Sequence, residues 1–435
     1  MKKFLVSAGL AAIGAASVQA DTYAPDVTAM DASKIWNVSG TLRGFYDDNY
    51  TTGHNDASGK KGSWGFEFSP ALSLIVPLQQ TELGLRYTYG LYYYQDRENN
   101  GANPIDQTHE ADLWIDHAFT ERWEGKIQDT FISSQNPQLT SSGTTFPYRV
   151  EGNNINNLGT VSVHTEWTML FSTDVAYQNN FVQYQNHGGN EFQPSLAGFL
   201  DEIGQSGWIN LNYLYDPDLT FLVGYQFSID RYTANEPIGF GINQFTDIFN
   251  SSNLDRYTHT AYVGASYTAT ANLSATVRAG FSYVDNYNLP SFENQSDTSL
   301  QPYAQVAVTY TYLPGDYAQV GFIQSEGSSD APDPNHSNGS LTTFQENSVL
   351  YGSVNHQITP FLLGSVTGRW QYGSYNGGAN NGGSQIQYSL GLSLSYEINQ
   401  HLSAEIGYNF DYVTAGAGLP NYARNREYIG ITANY

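Results

Sequence analysis

The sequence predicts an all-β protein, a transmembrane antiparallel up-and-down β-barrel of about 18 strands, within a range of about 16–18. Three observations carry that expectation. Apolar and polar residues alternate with period two, the mark of strands with unlike faces. The alternating stretches run to about ten residues or more, the length a tilted membrane strand requires. The connections switch regularly between short turns and long polar loops, as they do when turns and loops lie on opposite sides of a membrane. Composition agrees: among 435 residues are 34 Tyr, 22 Phe and 7 Trp, yet charged residues make up only 13% and mean hydropathy is −0.41. That mixture suits a chain with one apolar and one wet surface, and it is too polar for a bundle of spanning helices.

Taken in order, the chain opens on Lys2 and Lys3, an apolar run from Phe4 to about Val18, and the ending Val18-Gln19-Ala20. This pattern reads as a secretory signal peptide over 1–20, cleaved after Ala20. The run is rich in Gly and Ala and shorter than the ~20 residues of a spanning helix. Its removal takes away two lysines and no acids, moving the net charge from −24 to −26. Residues 21–34 read as a periplasmic lead-in, and 35–435 as a single outer-membrane barrel domain. The first nine strands are expected to begin near Ile35, Ser63, Thr81, Glu110, Trp123, Ile155, Ser172, Gly207 and Thr220. The rest begin near Arg256, Leu273, Ser299, Tyr317, Thr343, Phe361, Gln385, His401 and Arg424.

The third strand sets Leu83, Leu85, Tyr87, Tyr89, Leu91 and Tyr93 against Glu82, Gly84, Arg86, Thr88 and Gly90. The strand from Gln385 is clearest, with Ile386, Tyr388, Leu390, Leu392, Leu394 and Tyr396 opposed to Gln387, Ser389, Gly391, Ser393 and Ser395. Aromatic residues often bracket the aliphatic ones, a girdle pattern. Short turns fall at 77–80, 120–122, 166–170, 216–218, 269–272, 314–316, 358–360 and 399–400, and long loops at 47–62, 99–107 and 327–341. An even strand number puts both ends of the barrel on the short-turn side. The last strand ends Tyr428-Ile429-Gly430-Ile431-Thr432-Ala433-Asn434-Tyr435, which resembles the recognition signal of outer-membrane barrel assembly. In hydrocarbon every backbone polar group needs an internal partner, so the strands must close on themselves. A barrel of 16–18 strands generally leaves an aqueous channel.

The polar phase then gives candidate pore-lining residues. The basic ones are Arg43, Arg86, Lys126, Arg256, Arg278 and Arg369; the acidic ones include Glu67, Glu82, Asp112, Glu397, Glu405 and Asp411. Inner-phase tyrosines such as Tyr92 and Tyr303 offer faces on which a sugar ring can stack. The commoner use of such charges is to brace the barrel with salt bridges, and of such rings to pack against an inward loop. Glycines on this phase, among them Gly224 and Gly391, leave lumen volume. His117 and Asp129 share the lipid phase of neighbouring strands, which predicts a bulge or a shifted register there.

Several classes are excluded. A chain with no cysteine has no disulfides, thiolate metal sites or cysteine nucleophile. With 17 Lys+Arg against 41 Asp+Glu it lacks the basic surface of a nucleic-acid binder. No enzyme is expected: Asp116 and His117 are adjacent on a strand and point to opposite faces. His336-Ser337-Asn338-Gly339 lies in a turn-forming loop, and the Asp/Asn-rich 330–335 has no calcium-site spacing. No cofactor and no metal are expected.

The runs Trp64-Gly65-Phe66-Glu67-Phe68-Ser69-Pro70-Ala71-Leu72-Ser73-Leu74, Glu82-Leu83-Gly84-Leu85-Arg86-Tyr87 and Thr108-His109-Glu110-Ala111-Asp112-Leu113 resemble the beta-barrel porin 2 family, as does Lys126-Ile127-Gln128-Asp129-Thr130-Phe131. The resemblance covers about the first quarter of the chain. It implies a Gram-negative outer-membrane barrel associated with exopolysaccharide, and hence polysaccharide export; it brings no catalytic residues. The expected function is a porin-like channel for passive diffusion or export of polar solutes, with polysaccharide as a candidate cargo. The alternative is a closed structural or receptor barrel that binds partners through its long loops. Expected partners are outer-membrane lipid and lipopolysaccharide, and the barrel-assembly machinery through Tyr435.

Overall fold

The computed structural model describes residues 35–52, 59–99, 103–135, 154–241, 247–291, 297–313, 315–329, 341–378, 380–414 and 421–435. The expected signal peptide and lead-in lie outside the described residues, as do 330–335 and the His336-Ser337-Asn338-Gly339 loop.

Alternation puts long strands where it predicts them. They are β1 (Trp36–Asp47), β2 (Ser63–Pro77), β3 (Thr81–Tyr94), β4 (Ile105–Ala118), β5 (Trp123–Ser134), β6 (Asn154–Glu166), β7 (Phe171–Tyr184), β8 (Glu202–Asp216) and β9 (Leu219–Tyr232). A small loop hairpin follows, β10 (Pro237–Phe240) with β11 (Ile248–Asn250). The wall resumes with β12 (Arg256–Thr270), β13 (Leu273–Asp285), β14 (Thr298–Leu313), β15 (Asp316–Ser328) and β16 (Phe344–Thr359). It ends with β17 (Leu362–Asn376), β18 (Ser384–Asn399), β19 (Leu402–Val413) and β20 (Tyr422–Asn434).

Each wall strand pairs antiparallel with its neighbours, and β1 pairs with both β2 and β20, so the 18-stranded sheet is a closed barrel. The closing ladder runs from Ser39–Asn434 to Asp47–Arg426. Val38 and Tyr435 extend it by exchanging backbone bonds of 3.1 and 2.9 Å. No strand edge is left to water or lipid along that seam.

Two strands begin earlier than expected, β4 at Ile105 rather than near Glu110 and β8 at Glu202 rather than near Gly207. The physical reason is shared. Each opens with a lone outward isoleucine, Ile105 or Ile203, followed on that face by Gln107 and His109 in β4 and by Gln205 and Gly207 in β8, so the continuous apolar half of the alternation starts late.

The outer face carries exposed Leu, Val, Ile, Phe and Tyr, and the inner face carries the buried polar residues, so the usual globular order is inverted. Inner aromatics lie flat on the wall because a glycine stands directly opposite. Phe45 faces Gly65, Trp114 faces Gly84, Tyr262 faces Gly224, Tyr351 faces Gly321 and Tyr428 faces Gly407. In all five a Cβ on the glycine would overlap the facing ring. Gly224 was expected to leave lumen volume; the ring of Tyr262 fills that space instead.

At the long-loop end, 185–201, 233–241 and 247–255 fold into a cap. Its apolar centre is Ile238, Phe249, Leu254 and Leu341 with Tyr232, and Phe199 and Leu289 pack against it. The Glu236 carboxylate ties the two loops together, accepting hydrogen bonds from Ser195 Oγ at 2.5 Å and from the N–H groups of Gly188 and Gly189 at 2.9 and 3.1 Å. His187 Nδ1 lies 3.0 Å away. Burial works to raise this carboxyl, but those donors outweigh it and hold it below the usual glutamate range. Burial pushes Asp201 and Asp255, which anchor the same cap, the other way.

Candidate functional site

The alternation that puts aliphatic residues outside points the candidate pore-lining set inward, and most of its charges meet partners there. Arg43 lies 3.1 Å from Glu67 and 2.5 Å from Glu405, and its guanidinium sits 5.2 Å from the centre of the Tyr428 ring. Tyr92 shares with them a small cavity of about 70 Å³, between β1–β3 and β19–β20. Asp411 is held by Arg424 at 2.6 Å, and Asp47 by Arg426 at 3.0 Å. Lys126 reaches Glu124 at 3.2 Å and Asp116 at 3.7 Å. Asp112 accepts from Thr130 Oγ1 at 2.8 Å, and Glu82 from Trp114 Nε1 at 3.2 Å. Arg86 stands across the ladders from Ser73 and Asp112, while Glu397 is exposed beside the short turn at 400–401. Arg369 donates to Gln371 at 3.1 Å, and its Nε has no hydrogen-bond partner among the described residues.

The opposite wall, β7–β9 with β12–β15, holds a cavity larger than the one at Tyr92, about 220 Å³. Its lining is mainly hydroxyl and amide, from Gln226, Ser228, Thr258, Thr260, Ser282 and Gln305. The charged part is Arg256, which bonds Asp230 at 2.9 Å and Glu326 at 2.7 Å, while Glu202 accepts from Asn180 at 3.1 Å. Three carboxylates around one guanidinium leave local acidic excess. Tyr303 lines the same cavity, and its ring lies 5.4 Å from Tyr262, over which Arg278 sits at 5.7 Å. The site can therefore hydrogen-bond a polyhydroxylated solute and present an aromatic face to it.

Sequence reasoning missed Glu202, Glu326, Arg424 and Arg426. Arg424 and Arg426 were legible, because they share the phase of Tyr428 in the last strand. Glu202 lay ahead of the expected start of β8. Glu326 has the parity of the outward Val320 and yet reaches Arg256 inside, so alternation could not find it.

At Asp129 the expectation of a bulge or shifted register is corrected. The β4–β5 ladder is regular, pairing Leu113 with Asp129 and His117 with Gly125. Asp129 does face outward, and Asn157 satisfies it with bonds of 3.0 and 3.1 Å to its two oxygens.

No family model matches this chain, and no curated protein does. Among solved structures it is similar to OccAB4 of Acinetobacter baumannii, at 9% identity and a TM-score of 0.42 over 92% of this chain and 99% of that one. OccK1 (OpdK) of Pseudomonas aeruginosa gives 9% and 0.42 over 92% and 99%. OccK9 (OpdG) of the same organism gives 11% and 0.42 over 92% and 98%. At TM-scores this low the barrel assignment rests on the closed ladder itself.

Proposed function

We propose that this protein is an outer-membrane channel for polar solutes in a Gram-negative-type envelope. The observation that carries the reading is the inversion of the wall. Aliphatic and aromatic side chains face outward on a closed barrel, which suits lipid, and hydrogen-bonding and charged groups face inward, which suits water and polar cargo. The cavity lined by Tyr303 and its hydroxyl and amide neighbours supports a sugar-like cargo, with polysaccharide as its long form. Lipopolysaccharide and lipid are the natural neighbours of such a wall. Tyr435, exposed beside Trp36 at a ring separation of 5.6 Å, is the residue we assign to the assembly machinery.

The test is single-channel conductance of the refolded chain, without residues 1–20, in a planar bilayer, with and without oligosaccharides. Steady steps that maltodextrins block support the channel and place the sugar at the larger cavity if Tyr303→Ala relieves the block. A folded but silent barrel overturns it. The second reading, a receptor barrel, is favoured by the ordered loop cap around Glu236; it predicts silence, with ligand binding that disappears when 185–201 is cleaved.

A further inference from the structure

One seam of the wall is incompletely zipped. The β14–β15 ladder stops at Ala304–Gln324, although β14 continues to Thr298 alongside β13 and β15 continues to Ser328 alongside β16. Among the described residues no ladder pair joins 298–303 to 325–328. Pro302 lies in this stretch, and a proline has no N–H to offer a neighbouring strand. Ala304 is six residues above the outward Tyr310, which marks the lower aromatic girdle on β14. At about 2.5 Å of height per tilted residue, the ladder ends about 15 Å above that girdle and Leu300 lies about 25 Å above it, so the notch occupies the upper part of the ~25 Å apolar band.

The two sides of the notch differ in chemistry. On the outside, next to β14, Phe281 and Leu300 are 63% and 64% exposed, among the barest apolar side chains of the wall. Beside β15, Gln324 donates to Glu346 at 2.6 Å and is hydrogen-bonded to Ser348. On the inside, the 220 Å³ cavity is lined from both lips, by Tyr303 and Gln305 of β14 and by Ile323, Ser325, Glu326 and Gly327 of β15. The Arg256–Glu326 pair ties the β15 lip to β12 across the lumen side. In lipid an open edge is tolerated only where the backbone borders a polar cavity, and here it does.

We propose that this notch is a lateral portal, latched by Arg256–Glu326, through which a single-chain amphiphile passes between the lumen cavity and the outer leaflet. The tail is matched by Phe281, Leu300 and Pro302. The head is uncharged and hydroxyl-rich, because the lining is hydroxyl and amide and its acidic excess repels an anion. The inference rests on the channel reading and adds a sideways route to it.

The probe is a dodecyl maltoside carrying a photoreactive diazirine, applied to the refolded chain in lipid vesicles and mapped by peptide mass spectrometry. Labelling is expected at Leu300 and Phe281 outside and at Gln305 and Ser325 inside, competed by dodecyl maltoside and not by maltose. The chain has no cysteine, so Tyr303→Cys with Ser325→Cys makes an internally controlled lock. These positions would face each other if the ladder continued. Oxidation should abolish the inner labelling and reduction restore it, and Glu326→Gln should raise inner labelling several-fold. Inner labelling that survives the lock, competition by maltose, or labelling spread evenly round the wall overturns the portal. Swelling of the same vesicles in a small sugar separates the two readings. No flux sinks the channel, whereas flux with an unlabelled notch sinks the portal alone.

Discussion

The aromatic–glycine pairs give the sharpest test of the inner wall, and Gly407→Ala is the change to make. Its Cβ would overlap Cζ and Oη of Tyr428, which stands directly opposite and is 8% exposed. The ring cannot stay. Losing its flat seat exposes about 60 Å² of apolar surface, or ~1.5 kcal/mol at about 25 cal/mol/Å². Losing the Arg43 guanidinium above it removes ~0.5–1 kcal/mol more. Against this, alanine restores ~0.5–1 kcal/mol of strand propensity that glycine forfeits. The net destabilisation is ~1–2 kcal/mol, and the displaced phenol swings into the lumen. Gly368→Ala is the control, because its Cβ meets nothing within 4 Å among the described residues; it should be neutral or stabilising by ~0.5–1 kcal/mol. The assay is reversible denaturant unfolding in lipid vesicles together with single-channel conductance. Gly407→Ala should unfold at lower denaturant and pass smaller steps, and Tyr428→Ala in the same chain should add little further loss. Equal midpoints and equal steps for Gly407→Ala and Gly368→Ala would refute the reasoning.

Three other outcomes are expected. Arg43→Gln leaves Glu67 and Glu405 facing each other without their shared guanidinium, so it should cost ~3–5 kcal/mol in the same unfolding assay; Glu67→Gln with Arg43→Gln should recover part of it. Asp129→Leu should stabilise the barrel by ~1 kcal/mol if plain lipid covers that face, and a loss of stability would mean the carboxylate is used there. The loop cap should respond to acid in two stages, read by proteolysis within 185–201. As pH falls toward about 4, Asp201 and Asp255, whose folded values are raised, take up protons more readily in the folded state, so the cap tightens. Below that, pH passes the lowered folded value of Glu236; the stability its carboxylate supplies above the unfolded value is lost, and cleavage rises. Glu236→Gln should abolish the acid-induced rise, and a rise that persists in the variant would place the trigger elsewhere.

How much of this was written in the sequence depends on which physical force each feature answers to. Lipid contact imposes a one-body rule on every outward residue, so strands such as β18, with Leu390, Leu392 and Leu394 in phase, are legible at once. The rule also fixes the inward phase of Arg43, Glu67 and Asp411. It fails where outward residues are polar for local reasons, at Gln107 and Gln205, and the heads of β4 and β8 were lost there. Pairwise features were out of reach for a different reason. That Gly407 faces Tyr428, or that Arg43 lies between Glu67 and Glu405, depends on register across strands and, for Arg43, on closure between residues hundreds of positions apart. Asp129 illustrates the limit from the other side. Its lipid phase was read correctly from alternation, and the inference of a bulge was wrong because its partner, Asn157, comes from the next strand round the wall. Glu326 is the strongest case. Parity sends it outward, and it turns inward only where the β14–β15 ladder has ended, so its position reports a break in the wall that no periodicity carries. The residues that depart from the alternation are thus the ones that mark where the barrel is more than a plain cylinder, and the notch at Pro302 is where mutagenesis should begin.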